Sequence, residues 1–116
     1  MTFRAYGYKP WGHYLNIFDA PYTKVKEIRI KPGEAPSYQY HYKRSEIWVI
    51  VNGTAEVKLD GEVKIYGVGE VVHIPVKAKH QAKNIGDDDL VFIEVQLGEY
   101  FGEDDIVRLE DKYGRV

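Results

Sequence analysis

Ten residues, Glu56 to Ile65, alternate charged and apolar side chains on either side of an Asp60-Gly61 pair, and no other stretch constrains the fold as tightly. A two-residue type I′ turn needs positive φ at both central positions, which Asp-Gly supplies, and strict alternation is the period of a half-buried strand. The segment predicts a β-hairpin with Val57 and Leu59 inward on one arm and Val63 and Ile65 inward on the other. Ile47-Trp48-Val49-Ile50-Val51 and Leu90 to Leu97 are near-continuous apolar runs of strand length, as expected where a strand is covered on both faces. Further strands are expected at Lys24 to Ile30, Ser37 to His41 and Val71 to Ile74. Pro32-Gly33, Gly67 to Gly69 and Gly86 to Asp89 separate them. Turn signals this regular point to an all-β antiparallel barrel or jelly roll. The acidic stretch Gly102 to Asp111 carries Ile106, Val107 and Leu109 and is expected as a short helix or an ordered tail over the barrel.

The length of 116 residues suits one globular domain, 1–116, with a barrel core about 22–98 and a tail at 99–116. With 16 basic and 18 acidic residues, formal net charge -2, the chain has no electrostatic footprint for nucleic acid. The apolar runs are too short to cross a bilayer as helices, no basic-then-apolar leader opens the chain, and a cytoplasmic location is expected with no membrane partner. Val91, Ile93, Val95 and Leu97 share one strand face and Leu90 and Phe92 the other, which leads us to expect a homodimer.

Gln39 and His41 lie two apart in an expected strand and leave the same face, while Tyr38, Tyr40 and Tyr42 leave the other and pack. Glu46 precedes the next strand and His80 opens a later one. An antiparallel barrel could bring all four inward as a mixed N/O set suited to Zn²⁺, Mn²⁺, Fe²⁺, Co²⁺ or Ni²⁺, with positions open for a ligand. His13, by contrast, reads as a surface residue.

The spacing Gly33-x5-Gln39-x-His41-x4-Glu46-x6-Gly53 resembles the first motif of the cupin superfamily, with Gln39 where many members have His. Gly69-x5-Pro75-x4-His80-x3-Asn84 resembles the second, except that Lys77 stands where a Gly is common. The resemblance implies a single-domain double-stranded β-helix holding a metal in its lumen through Gln39, His41, Glu46 and His80. A narrower likeness runs through Lys9-Pro10-Trp11-Gly12, Arg44-Ser45-Glu46, Glu94-Val95-Gln96 and Gly102 to Asp111, with Tyr113-Gly114-Arg115 at the end. It is to type II mannose-6-phosphate isomerase, specifically the C-terminal cupin domain of bifunctional mannose-6-phosphate isomerase/mannose-1-phosphate guanylyltransferase enzymes.

That likeness implies a metal-dependent aldose–ketose isomerase interconverting mannose 6-phosphate and fructose 6-phosphate. Arg44, Arg108 and Arg115 would clamp the sugar phosphate or stabilise charge. The alternative is a non-catalytic metal-containing cupin that binds a sugar or sugar phosphate; a metal-dependent oxygenase shares only the ligand set. With no nucleotidyltransferase segment upstream, guanylyl transfer is not expected of this chain. Where the family reads His-His-His-Arg-x-Glu-His, the chain has Tyr42, Lys43 and Ile47 in place of the second, third and last His, for which His73 or Lys43 could compensate.

Overall fold

The computed structural model describes residues 6–114. Eleven strands follow one another: β1 Tyr6–Lys9, β2 Gly12–Ala20, β3 Thr23–Ile30, β4 Tyr38–His41, β5 Arg44–Asn52, β6 Ala55–Leu59, β7 Glu62–Tyr66, β8 Val71–Ile74, β9 His80–Asn84, β10 Leu90–Gly98 and β11 Ile106–Glu110. They form a six-stranded sheet, ordered β1-β2-β3-β10-β5-β8, facing a five-stranded sheet, β11-β4-β9-β6-β7. All pairs are antiparallel. This is the jelly-roll barrel expected of a cupin. Its sheets reach beyond residues 22–98, since β1 and β2 extend one sheet and β11 hydrogen-bonds along β4 in the other. The acidic C-terminal stretch is ordered as a single 3-10 turn, Glu103–Asp105, leading into β11.

The Asp60-Gly61 turn forms with positive φ at both residues, 47° and 85°. Its register corrects the inward assignment of the second arm. A two-residue loop pairs Leu59 with Glu62 and Val57 with Lys64, so the face carrying Val57 and Leu59 continues through Lys64 and Glu62. Val63 and Ile65 fall on the other face, 58% and 50% exposed, whereas Val57 is buried. Alternation is preserved along each arm, but the short turn shifts its phase between the arms.

The continuous runs of β5 and β10 have a related explanation. Their inward residues are buried, while the outward Ile47, Val49, Ile93 and Val95 stand opposite one another in the central strands of the six-stranded sheet and are half-buried. Neighbouring side chains, rather than a second covering layer among the described residues, shield them.

The inward rows change character at one level of the barrel. On β10, Leu90 and Phe92 are followed by Glu94 and Gln96; on β5, Arg44 and Glu46 precede Trp48 and Ile50; on β3, Lys26 precedes Ile28 and Ile30. Because the pairing is antiparallel, Phe92 meets Ile50 and Ile28, whereas Glu94 meets Lys26 and Gln96 meets Glu46. The apolar ends gather with Trp11, Ala55, Val57, Val72, Ile74, Ala78, Ala82 and Leu90 into the core, and the polar ends gather into a buried site. Burial of the first set supplies the hydrophobic driving force, and the second set remains inside only because its members bond to one another.

Candidate metal and anion site

The polar half of the barrel contains a cavity of about 120 Å³. One water needs roughly 10–15 Å³ by this measure, so the cavity admits an ion together with the polar end of a small ligand. Gln39, His41, Arg44, Glu46, His80, Glu94 and Arg108 all line it.

Donor atoms of His41, Glu46 and His80, all three buried, lie within 4.8 Å of one another. Strand geometry produces this convergence: His41 ends β4, Glu46 lies inward on β5, and His80 starts β9, where it pairs in register with Gln39. The half-buried Gln39 therefore faces the same cavity from β4. Arg108 on β11 is also opposite Gln39 and lines the cavity, with its buried Nε lacking a hydrogen-bond partner among the described residues. Arg115 lies outside the described residues.

Arg44 Nε donates to Glu46 Oε2 at 3.0 Å, and its terminal Nη2 lies 3.2 Å from His41 Nε2. Trp48 Nε1 donates to Glu46 Oε1 at 2.9 Å, and His41 Nε2 is 3.2 Å from Oε2. Burial alone would raise the Glu46 pKa. The hydrogen bond with His41, the nearby His80 and Arg44 charges and a hydrogen bond with Glu94 reverse the balance and hold it well below the usual carboxylate range. The opposite happens at Glu94, where burial first, and then the adjacent Glu46 charge, push the pKa up to about 8. Glu94 accepts from Gln96 Nε2 at 2.8 Å. One carboxylate is thus ionised and its neighbour protonated, as expected for two acids sharing a buried space.

His80 suits a ligand role. Its Nδ1 is 2.9 Å from the Ala78 carbonyl, so the proton belongs there and Nε2 keeps its lone pair toward Glu46, 3.9 Å away. Burial is the largest influence on its pKa and lowers it. His41 Nδ1 is buried without a hydrogen-bond partner among the described residues. Two imidazoles and an ionised carboxylate fit a divalent ion of the borderline class, with Gln39 placed to add an amide oxygen. Arg44 competes with such an ion, because it already bonds Glu46 and its Nη2 lies against His41 Nε2.

The residues that depart from the His-rich pattern lie away from the cavity. Tyr42 and Lys43 are exposed between β4 and β5, and Ile47 faces outward opposite an exposed His73. Neither His73 nor Lys43 compensates inside the barrel, since neither lines the cavity. His13 is half-buried, its ring 5.8 Å from those of Tyr6 and Tyr8. Lys77 adopts φ 68°, the left-handed conformation that favours the Gly common there, and its N–H donates to the His41 carbonyl at 2.8 Å.

Sequence reasoning missed Lys26, Trp48, Glu94, Gln96 and Glu103 as parts of the site. The signal for the β3, β5 and β10 members was present: each has the parity of its strand's inward apolar residues.

The family described as "Mannose-6-phosphate isomerase C-terminal" matches residues 1–111. The chain belongs to that family. Similar proteins include the mannose-1-phosphate guanylyltransferase of Salmonella montevideo, 53% identical over 108 residues, covering 93% of this chain and 23% of the relative. The protein of the same name from Escherichia coli K12 is 48% identical over 109 residues, 94% of this chain and 23% of its own. Among solved structures, the capsular polysaccharide assembling protein CapF of Staphylococcus aureus superposes with TM-score 0.80 at 26% identity, covering 95% of this chain and 33% of CapF. The chain therefore spans about a quarter of the length of these curated relatives. These names overturn the expectation of a mannose 6-phosphate to fructose 6-phosphate isomerase: the relatives are named for guanylyl transfer, and the likeness to them covers only the cupin domain. Among the described residues, no helix is long and apolar enough to cross a membrane.

Proposed function

We propose that this cupin domain binds one divalent metal ion and the anionic end of a sugar phosphate in the polar half of its barrel. The observation that carries this reading is the convergence of buried His41, Glu46 and His80 beside Arg44 and Arg108 nitrogens that lack hydrogen-bond partners among the described residues. Those three residues, with Gln39, would hold the ion; Zn²⁺, Mn²⁺, Fe²⁺, Co²⁺ and Ni²⁺ all suit an imidazole–carboxylate set. An ion of this class, once bound, would supply Lewis acidity inside the cavity.

Arg44 supplies a fixed guanidinium, held by Glu46, with Nη1 left over for an incoming oxygen. Arg108 approaches from β11, so a sugar phosphate entering the cavity meets planar donors from two strands. Trp48 is part of the wall, its ring 5.7 Å from that of His80 and stacked at 4.7 Å on Phe92. The mannose-phosphate names in the family support a hexose phosphate over other anions. Titration calorimetry of the metal-loaded chain with mannose 6-phosphate and with mannose tests the reading. Binding of the phosphate ester in preference to the neutral sugar supports it, and absence of binding by either removes it.

A homodimer belongs to this proposal as well. Val25, Ile47, Val49, Ile93 and Val95 lie side by side on the outer face of the six-stranded sheet, an apolar area fit for a second copy. Light scattering at twice the chain mass supports this arrangement; the single-chain mass excludes it.

A further inference from the structure

The mouth of the cavity holds a group of charges that the metal site does not need. Lys26 is buried, 5% exposed, on the inward row of β3. An ammonium this deep must find a partner, and it finds Glu103, with Nζ 3.2 Å from Oε1, while lying 4.4 Å from the centre of the Tyr14 ring. Glu103 itself belongs to the surface: its side chain is 52% exposed, and it begins the short turn before β11. Lys9, Lys26, Arg44 and Glu103 line the same cavity, and Arg44 Nη1 is buried there with no hydrogen-bond partner among the described residues.

We infer that Lys26, Arg44 and Lys9 form the seat of the ligand's phosphate group, and that Glu103 occupies this seat in the free chain. The inference locates one end of the ligand within the pocket proposed above and so rests on that reading. Glu103 bonds Lys26 and Glu46 holds Arg44 through Nε, which leaves Arg44 Nη1 without a partner among the described residues; a phosphate monoester, with three acceptor oxygens and close to two negative charges, can meet Lys26, Arg44 Nη1 and Lys9 together. Although burial by itself would raise the Glu103 pKa, Lys26, by charge and hydrogen bond, and then Arg44 and Lys9 hold it below the ordinary carboxylate range, which places its charge in the field of all three.

Displacing Glu103 does not require the turn to unfold. The segment is anchored two residues later by Asp105, whose carboxylate accepts from Tyr42 N at 3.2 Å and Lys43 N at 2.9 Å. Rotation of the Glu103 side chain into solvent is enough to open the seat, and the incoming phosphate replaces the charge that leaves.

Calorimetric titration of the full metal-loaded chain with inorganic phosphate, mannose 6-phosphate and mannose tests this arrangement in the wild type, Glu103→Gln and Lys26→Met. Glu103→Gln, an exposed substitution whose amide oxygen still accepts from Lys26, is expected to tighten phosphate-ester binding about 3- to 10-fold. Lys26→Met is expected to weaken it at least about 10-fold, and neither change should affect mannose. Comparison of inorganic phosphate with mannose 6-phosphate shows whether the seat accepts the free anion or needs the sugar as well. If the wild type binds mannose 6-phosphate and Glu103→Gln leaves its affinity unchanged or lower, the seat is elsewhere and only this inference fails. If no variant binds any phosphate, the sugar-phosphate reading fails with it.

Discussion

Arg44 and Glu46 form a buried ion pair at 3.0 Å, with side chains 5% and 1% exposed, at the point where three strands bring the candidate metal ligands together. Removing one partner of such a pair strands the other charge away from water, which typically costs about 3–5 kcal/mol. His41 and Trp48 also bond Glu46, so Arg44→Met should fall near the lower end, about 3 kcal/mol, in urea unfolding of the metal-free chain. A loss below about 1 kcal/mol would show that Arg44 is not the group balancing Glu46.

Glu94 gives the metal-free protein a pH signature. Its folded pKa of about 8 lies above the ordinary value of 4.5, so from pH 4.5 to about 8 the folded state holds a proton that the unfolded state has released. Its contribution to stability is full below 4.5 and is lost as pH rises through 8. The lowered pKa of His80 works in the opposite sense, its contribution being present above 6.5 and lost as pH falls through the folded value. Above pH 6.5 the Glu94 effect stands apart. Stability measured in chelator should decline from pH 6.5 to 8, and Glu94→Gln, which keeps a neutral donor, should flatten the decline; an unchanged slope would show that Glu94 is not protonated.

How much of this was legible is clearest along β10. The apolar run marked the strand, and the parity of Leu90 and Phe92 already put Glu94 and Gln96 inside, but their meaning depended on Lys26 and Glu46 standing opposite, which only the pairing shows. His41, Glu46 and His80 were readable because motif spacing survives in the linear chain. The charge ring around Glu103 was not, since it joins residues 77 positions apart through a turn with no local signature. The acidic tail could be read as a helix or a cover because its apolar positions, Ile106, Val107 and Leu109, fit neither period cleanly.

The hairpin register gives a paired test. Val57→Ala should cost about 2 kcal/mol through lost burial and the space left behind. Val63→Thr, on the exposed face, should stay within about 0.5 kcal/mol of wild type. Equal losses in chemical denaturation would mean that both arms turn the same parity inward.

Lys77 holds φ 68° in the turn between β8 and β9. A residue with a Cβ is strained there, and Gly relieves the strain at some cost in chain entropy. Lys77→Gly should stabilise the chain by about 0.5–1 kcal/mol, read as a raised denaturation midpoint with an unchanged slope; a lowered midpoint would refute the strain argument.

Metal content bears most directly on the whole account. Elemental analysis of chain purified without chelator and reloaded with Mn²⁺, Co²⁺, Ni²⁺ or Zn²⁺ should find one divalent ion per chain in wild type and in a His13→Ala control. His80→Ala, folded by circular dichroism, should retain none. A wild type that takes up no ion, or a His80→Ala variant that keeps it, would contradict the claim that His41, Glu46 and His80 form a metal site.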